Sequence, residues 1–247
     1  MKDLTIKKVT TKREMNDFVE FPETIYKDCP YYVPDLEMDV RNMFNPKKNA
    51  GLECSEIQAF VAYDSNVHPV GRIAGIINHR ANEKWKTQNV RFGFFDFVDD
   101  LEVSSALLEA VIQWGKERNM TRIQGPMGIT DFDKEGMLVE DFDRLGSMNT
   151  YYNYAYYPQH MEALGYEKEV DWVQVRIQIP SEIPTKYARV ARLSKEMFDL
   201  KVKKITDKDI TRRGYGHKIF QSLYLEAQNN QNYSEITKHK PLIINVF

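Results

Sequence analysis

VRFGFFDFVDDLEVSSALLEAVIQWGKERNMTRIQGPMGIT, residues 90–130, divides into a strand, a helix and a second strand, and the rest of the chain is arranged about it. Phe92, Phe94, Phe95 and Phe97 form a β-favouring run too rich in apolar residues for a half-exposed strand. Asp99 and Asp100 end it. Asp99 as N-cap with Glu102 three residues on is close to a capping box. Val103, Ala106, Leu107, Ala110, Val111 and Trp114 then mark one continuous apolar helix face. Lys116 and Arg118 suit the negative end of that helix, and Asn119 suits the left-handed turn that closes it. Thr121–Gln124 is a short strand ended by Gly125-Pro126. Strand, crossover helix and strand make a βαβ-like unit, and such units offer ligand sites at the carboxyl ends of their strands.

Upstream, Leu4–Val9 alternates like a first strand. Met15–Tyr26 has a helical pattern in which Pro22 predicts a break or a new first turn. Asp35–Phe44 reads as a short helix and Asn45–Glu53 as loop. Ile57–Tyr63 and Val70–Asn78 read as a hairpin joined by Asp64–Pro69. Gly71 and Gly75 inside the second strand signal a bulge or a close backbone approach. His79 and Asn82–Trp85 lie beyond that strand, where a lone histidine reads as surface. Downstream, Gly125–Ser147 reads as a long ordered loop. Tyr151, Tyr152, Tyr154, Tyr156 and Tyr157 crowd around Asn153 and Pro158. Pro158–Leu164 reads as a helix stopped by Gly165, Val170–Ile179 as a strand, and Tyr187–Met197 as a charged helix.

Three further stretches are quoted for what they resemble: QAFVAYDSNVHPVGRIAGIINHRAN (58–82), GPMGITDFDKEGMLVEDFD (125–143) and YYNYAYYPQHMEALGYEKEVDWVQVRI (151–177). With FGFFDFVDD and its helix they resemble a bacterial branch of the GNAT (acyl-CoA N-acyltransferase) superfamily whose members carry two GNAT-like repeats. The resemblance covers about residues 1–230. It implies an α/β (α+β) fold with a mixed, splayed central sheet flanked by helices. It implies acetyl-CoA or another acyl-CoA as cofactor and a small-molecule or peptide amine as acceptor. Leu200–Lys208 repeats the pattern of Leu4–Lys12, and this falls where the branch begins its second repeat. The expected organisation is therefore a GNAT-like domain over 1–180, a connecting helix over 181–199, and over 200–247 the truncated start of a second repeat.

In that family the cofactor pyrophosphate rests on backbone N–H groups between the central strand and the next helix, in a glycine-rich loop of the form Q/R-x-x-G-x-G/A. The corresponding residues here are Val98-Asp99-Asp100-Leu101-Glu102-Val103-Ser104, with three acids and no glycine. The cofactor-binding candidates are Phe97, Val98, Leu101, Val103 and Ser104. The family also places a tyrosine about four residues before the glycine of the next helix, to protonate the leaving thiolate. Met161 occupies that position, and methionine is no acid. His160 is adjacent but about 100° away on a helix. Tyr156 and Tyr157 could substitute, and Asp96, an acid inside an apolar strand, is a candidate general base or a satisfied structural acid. Gly75, Asn78, Asn153 and Tyr154 are the substrate-groove candidates. The two function readings are an acyl-CoA-dependent N-acyltransferase and, alternatively, a catalytically degenerate repeat that binds a ligand or supports a partner repeat.

Composition excludes some classes. The net charge is −2 with 34 basic and 36 acidic residues, so no basic excess points to nucleic acid. No stretch reaches the ~18 consecutive apolar residues of a membrane span, and no membrane partner is expected. Cys29 and Cys54 sit in no metal-ligand spacing, and MKDLTIKKVTTK has no apolar h-region. The expectation is a cytoplasmic protein with reduced thiols. Asp131, Asp133 and Glu135 resemble the start of a calcium loop, but its twelfth position is Phe142, so no metal is expected.

Overall fold

The computed structural model describes residues 4–130, 132–146, 150–175, 177–219 and 221. The chain divides after Glu169 into two compact units.

The first unit is built on a five-stranded mixed sheet in the order β1-β2-β3-β4-β5. Its strands are β1 (Thr5–Lys8), β2 (Ser55–Tyr63), β3 (Pro69–Asn78), β4 (Asn89–Phe97) and β5 (Arg122–Gln124). The first four pair antiparallel, and β5 joins β4 in parallel through α4 (Leu101–Lys116). The crossover unit of residues 90–130 is therefore present. Asp100, one residue later than expected, is the N-cap of α4, and its carboxylate accepts from Glu102 N at 2.9 Å.

α4 lays Val103, Leu107, Val111 and Trp114 on one face of the sheet, against Phe92, Phe95 and Phe97. Each such side chain contributes about 1.5–3 kcal/mol on full burial. Gly75 on β3 serves this packing. A Cβ there would lie 2.9 Å from the Trp114 ring, so glycine lets α4 sit close on the sheet. The other face carries α1 (Lys12–Ile25) and α2 (Glu37–Met43), which bury Phe18, Val19 and Val40 against Ala59, Val61 and Phe94.

α1 runs unbroken through Pro22. Pro22 has no N–H to give the carbonyl of Phe18, four residues back, and Arg72 Nη1 on β3 donates to that carbonyl instead at 3.0 Å. The expected break is absent because a strand residue supplies the missing donor. α1 also starts earlier than expected, on a capping box between Thr11 and Glu14. A further helix, α3 (His79–Trp85), stands where only a surface segment was expected, capped by Asn78 through Ala81 N.

β4 carries a bulge. Arg72 faces Asp96 and Ala74 faces Gly93, so Phe94 and Phe95 share one partner, and Phe94 has φ +50°. Without it, the alternation that sends Val90 and Phe92 toward α4 would send Phe94 and Asp96 there too. The bulge inverts the alternation. Phe95 and Phe97 face α4, Phe94 joins the α1 side, and Asp96 meets Arg72.

β5 follows β4 for three residues only. At Gly125-Pro126, a cis peptide, the chain turns, and Met127 N donates to Phe92 O at 2.7 Å. Gly93 lies under this turn, where a Cβ would be 2.6 Å from Met127 O. Beyond it β4 and β5 part, which is the splay expected of the sheet. Gly136, Met137, Tyr151, Tyr152 and Asn153, with α5 (Tyr156–Ala163), fill the opening.

The second unit holds α6 (Thr185–Met197) and α7 (Asp207–Thr211). The expected strand Val170–Ile179 is not formed. The described residues of this segment are in no ladder, and Val173, Val175, Ile177 and Ile179 are exposed. Alternation alone does not make a strand when no backbone among the described residues takes up its hydrogen bonds. Thr206 and Asp209 form a capping box at α7, as Thr11 and Glu14 do at α1.

Candidate functional site

Asp96, Phe97, Tyr156 and Tyr157 converge on the carboxyl end of β4, where it leaves β5. Asp96 is buried. Its Oδ2 accepts from Arg72 Nε at 2.7 Å and its Oδ1 from the Tyr26 hydroxyl at 3.0 Å. Arg72 is fully enclosed. Burial works to lower its pKa, and the Asp96 carboxylate more than offsets this, so the guanidinium stays charged. The Tyr26 hydroxyl also meets the Tyr157 hydroxyl at 2.8 Å, and Tyr157 accepts from Phe97 N at 3.2 Å. Since Tyr26 gives its one hydroxyl proton to the Asp96 carboxylate, the Tyr157 hydroxyl is the donor to Tyr26. Burial first, and the Asp96 charge second, push Tyr26 and Tyr157 well above the usual phenol range. Both stay protonated at any physiological pH.

Tyr156 donates to Phe97 O at 2.5 Å. Both polar groups of the Phe97 backbone are thus taken by α5, the N–H by Tyr157 and the carbonyl by Tyr156. The remaining gap beside Asp96, lined by Asp96, Tyr151, Asn153 and Tyr157, has a volume of about 10 Å³. That is room for one water.

The other candidates are placed as follows. Val98 N donates to Val70 O at 3.0 Å. Val103 and Ser104 are fully buried, and Leu101 is exposed. Asn78 caps α3 and donates to Ile129 O. Asn153 spans the loop, accepting from Leu138 N at 2.7 Å and donating to Leu138 O at 3.0 Å. Tyr154 donates to Ile25 O at 3.2 Å. Asp96, Tyr156, Tyr157 and Phe97 are brought together. Asn153 and the ring of Tyr154 adjoin them, while Gly75 packs under α4 and Asn78 lies at the far end of β3.

One residue of this region was discounted in the sequence. His160 is buried on α5, with Nδ1 2.9 Å from Ser104 Oγ and Nε2 3.0 Å from Asp99 Oδ1. Its ring packs at a tilt against Phe97 and Tyr156. Its spacing carried the signal: residues 156, 157 and 160 share one helical face, and Tyr156 and Tyr157 point to β4.

At the head of α4 the Asp100 carboxylate takes Glu102 N, and its carbonyl takes Val103 N at 3.1 Å and Ser104 N at 3.3 Å. With Asp99 and Glu102 beside it, a pyrophosphate would meet about 1 kcal/mol of repulsion per close acid even in water. The residues present do not fit the acyl-CoA pyrophosphate in the pose that the resemblance implies. The acidic loop binds inward: Asp133 Oδ2 accepts from Thr130 N at 2.7 Å. Among the described residues no group of three His, Cys, Asp or Glu side chains is placed to hold a metal ion. No described helix is long and apolar enough to cross a membrane.

No protein-family model matches the chain. It is 28% identical over 235 residues to Protein YghO of Escherichia coli (strain K12), an alignment covering 93% of this chain and 57% of that protein. It is 26% identical over 183 residues to the bacterial ceramide synthase of Caulobacter vibrioides, covering 74% of this chain and 47% of that protein. The chain spans about half the length of these curated relatives. Among solved structures, an acetyltransferase of the GNAT family from Staphylococcus aureus is similar at TM-score 0.36 and 19% identity, over 49% of this chain and 71% of that one. The chain is thus similar to two longer bacterial proteins.

Proposed function

We propose that this chain is a GNAT-like lobe of an acyl-CoA-dependent N-acyltransferase, and that it shapes the acceptor side of the reaction rather than holding the acyl-CoA. The acyl-transfer class is supported by the relative named a ceramide synthase, since a ceramide is an N-acylated amine. The division of labour rests on one observation: the chain's own side chains occupy both places where an acyl-CoA would make backbone contacts. The Asp100 carboxylate takes the Glu102 amide at the head of α4, and the Tyr156 and Tyr157 hydroxyls take the carbonyl and amide of Phe97. On this reading residues 200–247 begin a second GNAT-like repeat, and an acyl-CoA site lies in a partner repeat. Thermal unfolding of the chain against a panel of long-chain and aromatic amines, each with and without acetyl-CoA, tests the proposal. Stabilisation by an amine alone supports it. Stabilisation by acetyl-CoA alone, or an N-acetylated product formed by the chain alone, overturns it.

A second reading, catalysis by this domain itself, is favoured by the Asp99–His160–Ser104 chain. His160 is buried but reaches the surface through Asp99, whose side chain is 68% exposed. Such a chain places an imidazole between a hydroxyl and an exposed carboxylate at the end of β4, beside Phe97 and Tyr156.

A further inference from the structure

α6 is a basic amphipathic helix whose apolar face is exposed. At 100° per residue, Tyr187, Val190, Leu193 and Met197 fall on one side, and Phe198 extends it at the helix end. These side chains are 63%, 53%, 41%, 73% and 66% exposed. An apolar face of this size within a soluble unit would ordinarily be buried. Arg189 and Lys195 lie on the two flanks of that face, Arg192 lies opposite it, and Lys186 sits at its start. Glu196, paired with Arg192, is the helix's single acid.

The surroundings have the same character. Of the 34 basic and 36 acidic residues, 14 and 8 lie from Val170 onward. The near-neutral total therefore hides an acidic first unit and a basic second one. Ile177, Ile179 and Ile183 before α6, and Leu200 and Val202 after it, are exposed as well. Lys201, Lys203 and Lys204 follow at once.

We propose that α6 is a docking surface for an anionic lipid bilayer, lying in the plane of the headgroups. An apolar stripe flanked by long cationic side chains matches such a surface: the stripe enters the acyl boundary and the cations meet the phosphates. An acidic protein would satisfy the cations but not the stripe. An apolar protein groove would satisfy the stripe but leave Arg189 and Lys195 without counter-charge. The expectation of no membrane partner rested on spanning segments alone, and a helix of 13 residues that lies on a bilayer spans nothing. The inference does not depend on the acyl-transfer reading.

Co-sedimentation of the full chain with vesicles tests it. Vesicles of mixed phosphatidylglycerol and phosphatidylcholine are expected to carry the chain down, and vesicles of phosphatidylcholine alone are not. Binding weakens as salt rises. Val190→Asp with Leu193→Asp abolishes it. Arg189→Glu with Lys195→Glu lowers the partition coefficient by at least about tenfold. All variants should melt with the wild type, because the substituted side chains are exposed. Failure to bind the anionic vesicles overturns the proposal, as does binding that survives the two aspartates. A wild type that is dimeric in solution, with the aspartates making it monomeric and vesicles having no effect, overturns it in favour of a second copy.

Discussion

Arg72 of β3 and Phe18 of α1 are joined by the hydrogen bond that Pro22 leaves open: Arg72 Nη1 donates to Phe18 O at 3.0 Å, four residues before the proline. The same guanidinium pairs with Asp96, so a helix, a strand and the candidate site share one cation. Pro22→Ala returns an N–H to the Phe18 carbonyl. In a double-mutant cycle with Arg72→Met, the alanine should recover about 0.5–1.5 kcal/mol more in the methionine background than in the wild type. Urea denaturation of the four proteins measures this. A coupling of zero would remove the proline from the explanation.

Asp96 is expected to act first on stability. Asp96→Ala leaves the enclosed Arg72 without its counter-charge, a loss of about 3–5 kcal/mol. Replacing the pair together, Asp96→Leu with Arg72→Met, should destabilise less than Asp96→Ala. A well-folded Asp96→Ala protein with unchanged denaturation midpoint would show that the carboxylate is free for other work.

Tyr157→Phe removes the acceptor of the Phe97 amide and the partner of the Tyr26 hydroxyl together. A buried amide left without an acceptor costs about 1–3 kcal/mol, and the amide of Phe97 should exchange faster with solvent in the variant. Hydrogen exchange followed residue by residue distinguishes this from a general loosening, in which all β4 amides would speed up alike.

Glu14 gives the pH dependence. Its carboxylate accepts from the Thr10 and Thr11 amides, each at 2.9 Å, and these backbone bonds lower its pKa from 4.5 to about 2. A depressed folded pKa contributes stability above the unfolded value, and that stability is lost as pH falls through the folded one. Glu14→Ala should therefore be destabilised by at most about 1 kcal/mol at pH 7, the group being exposed. The difference from wild type should hold down to about pH 4.5 and shrink toward pH 2. Midpoints measured from pH 7 to 2 show it, and a difference that grows on acidification would contradict the assignment.

Residues 90–130 were legible because both signals there are local: a dense aromatic run, then apolar residues at helical spacing. What was not legible depends on partners far along the chain. The break expected at Pro22 is prevented by Arg72, which lies 50 positions on in β3. The side chains that hold Asp96 come from Tyr26 and Arg72, and the bulge at Phe94 that aims it there uses a residue other than glycine at positive φ. Val170–Ile179 alternates as a strand does, yet pairing needs a second strand that no local pattern reports. His160 was discounted by comparing it with Met161 alone. Comparison with Tyr156 and Tyr157 on its own face would have directed it toward Ser104 and Asp99.

The central claim, that the head of α4 is closed to acyl-CoA, is tested most directly by calorimetric titration of the chain with acetyl-CoA and with free CoA. The prediction is no heat of binding at millimolar ligand with either. A dissociation constant tighter than about 100 μM, about −5.5 kcal/mol, weakened by substitutions within Val98–Ser104, would contradict it and return the catalytic role to this domain.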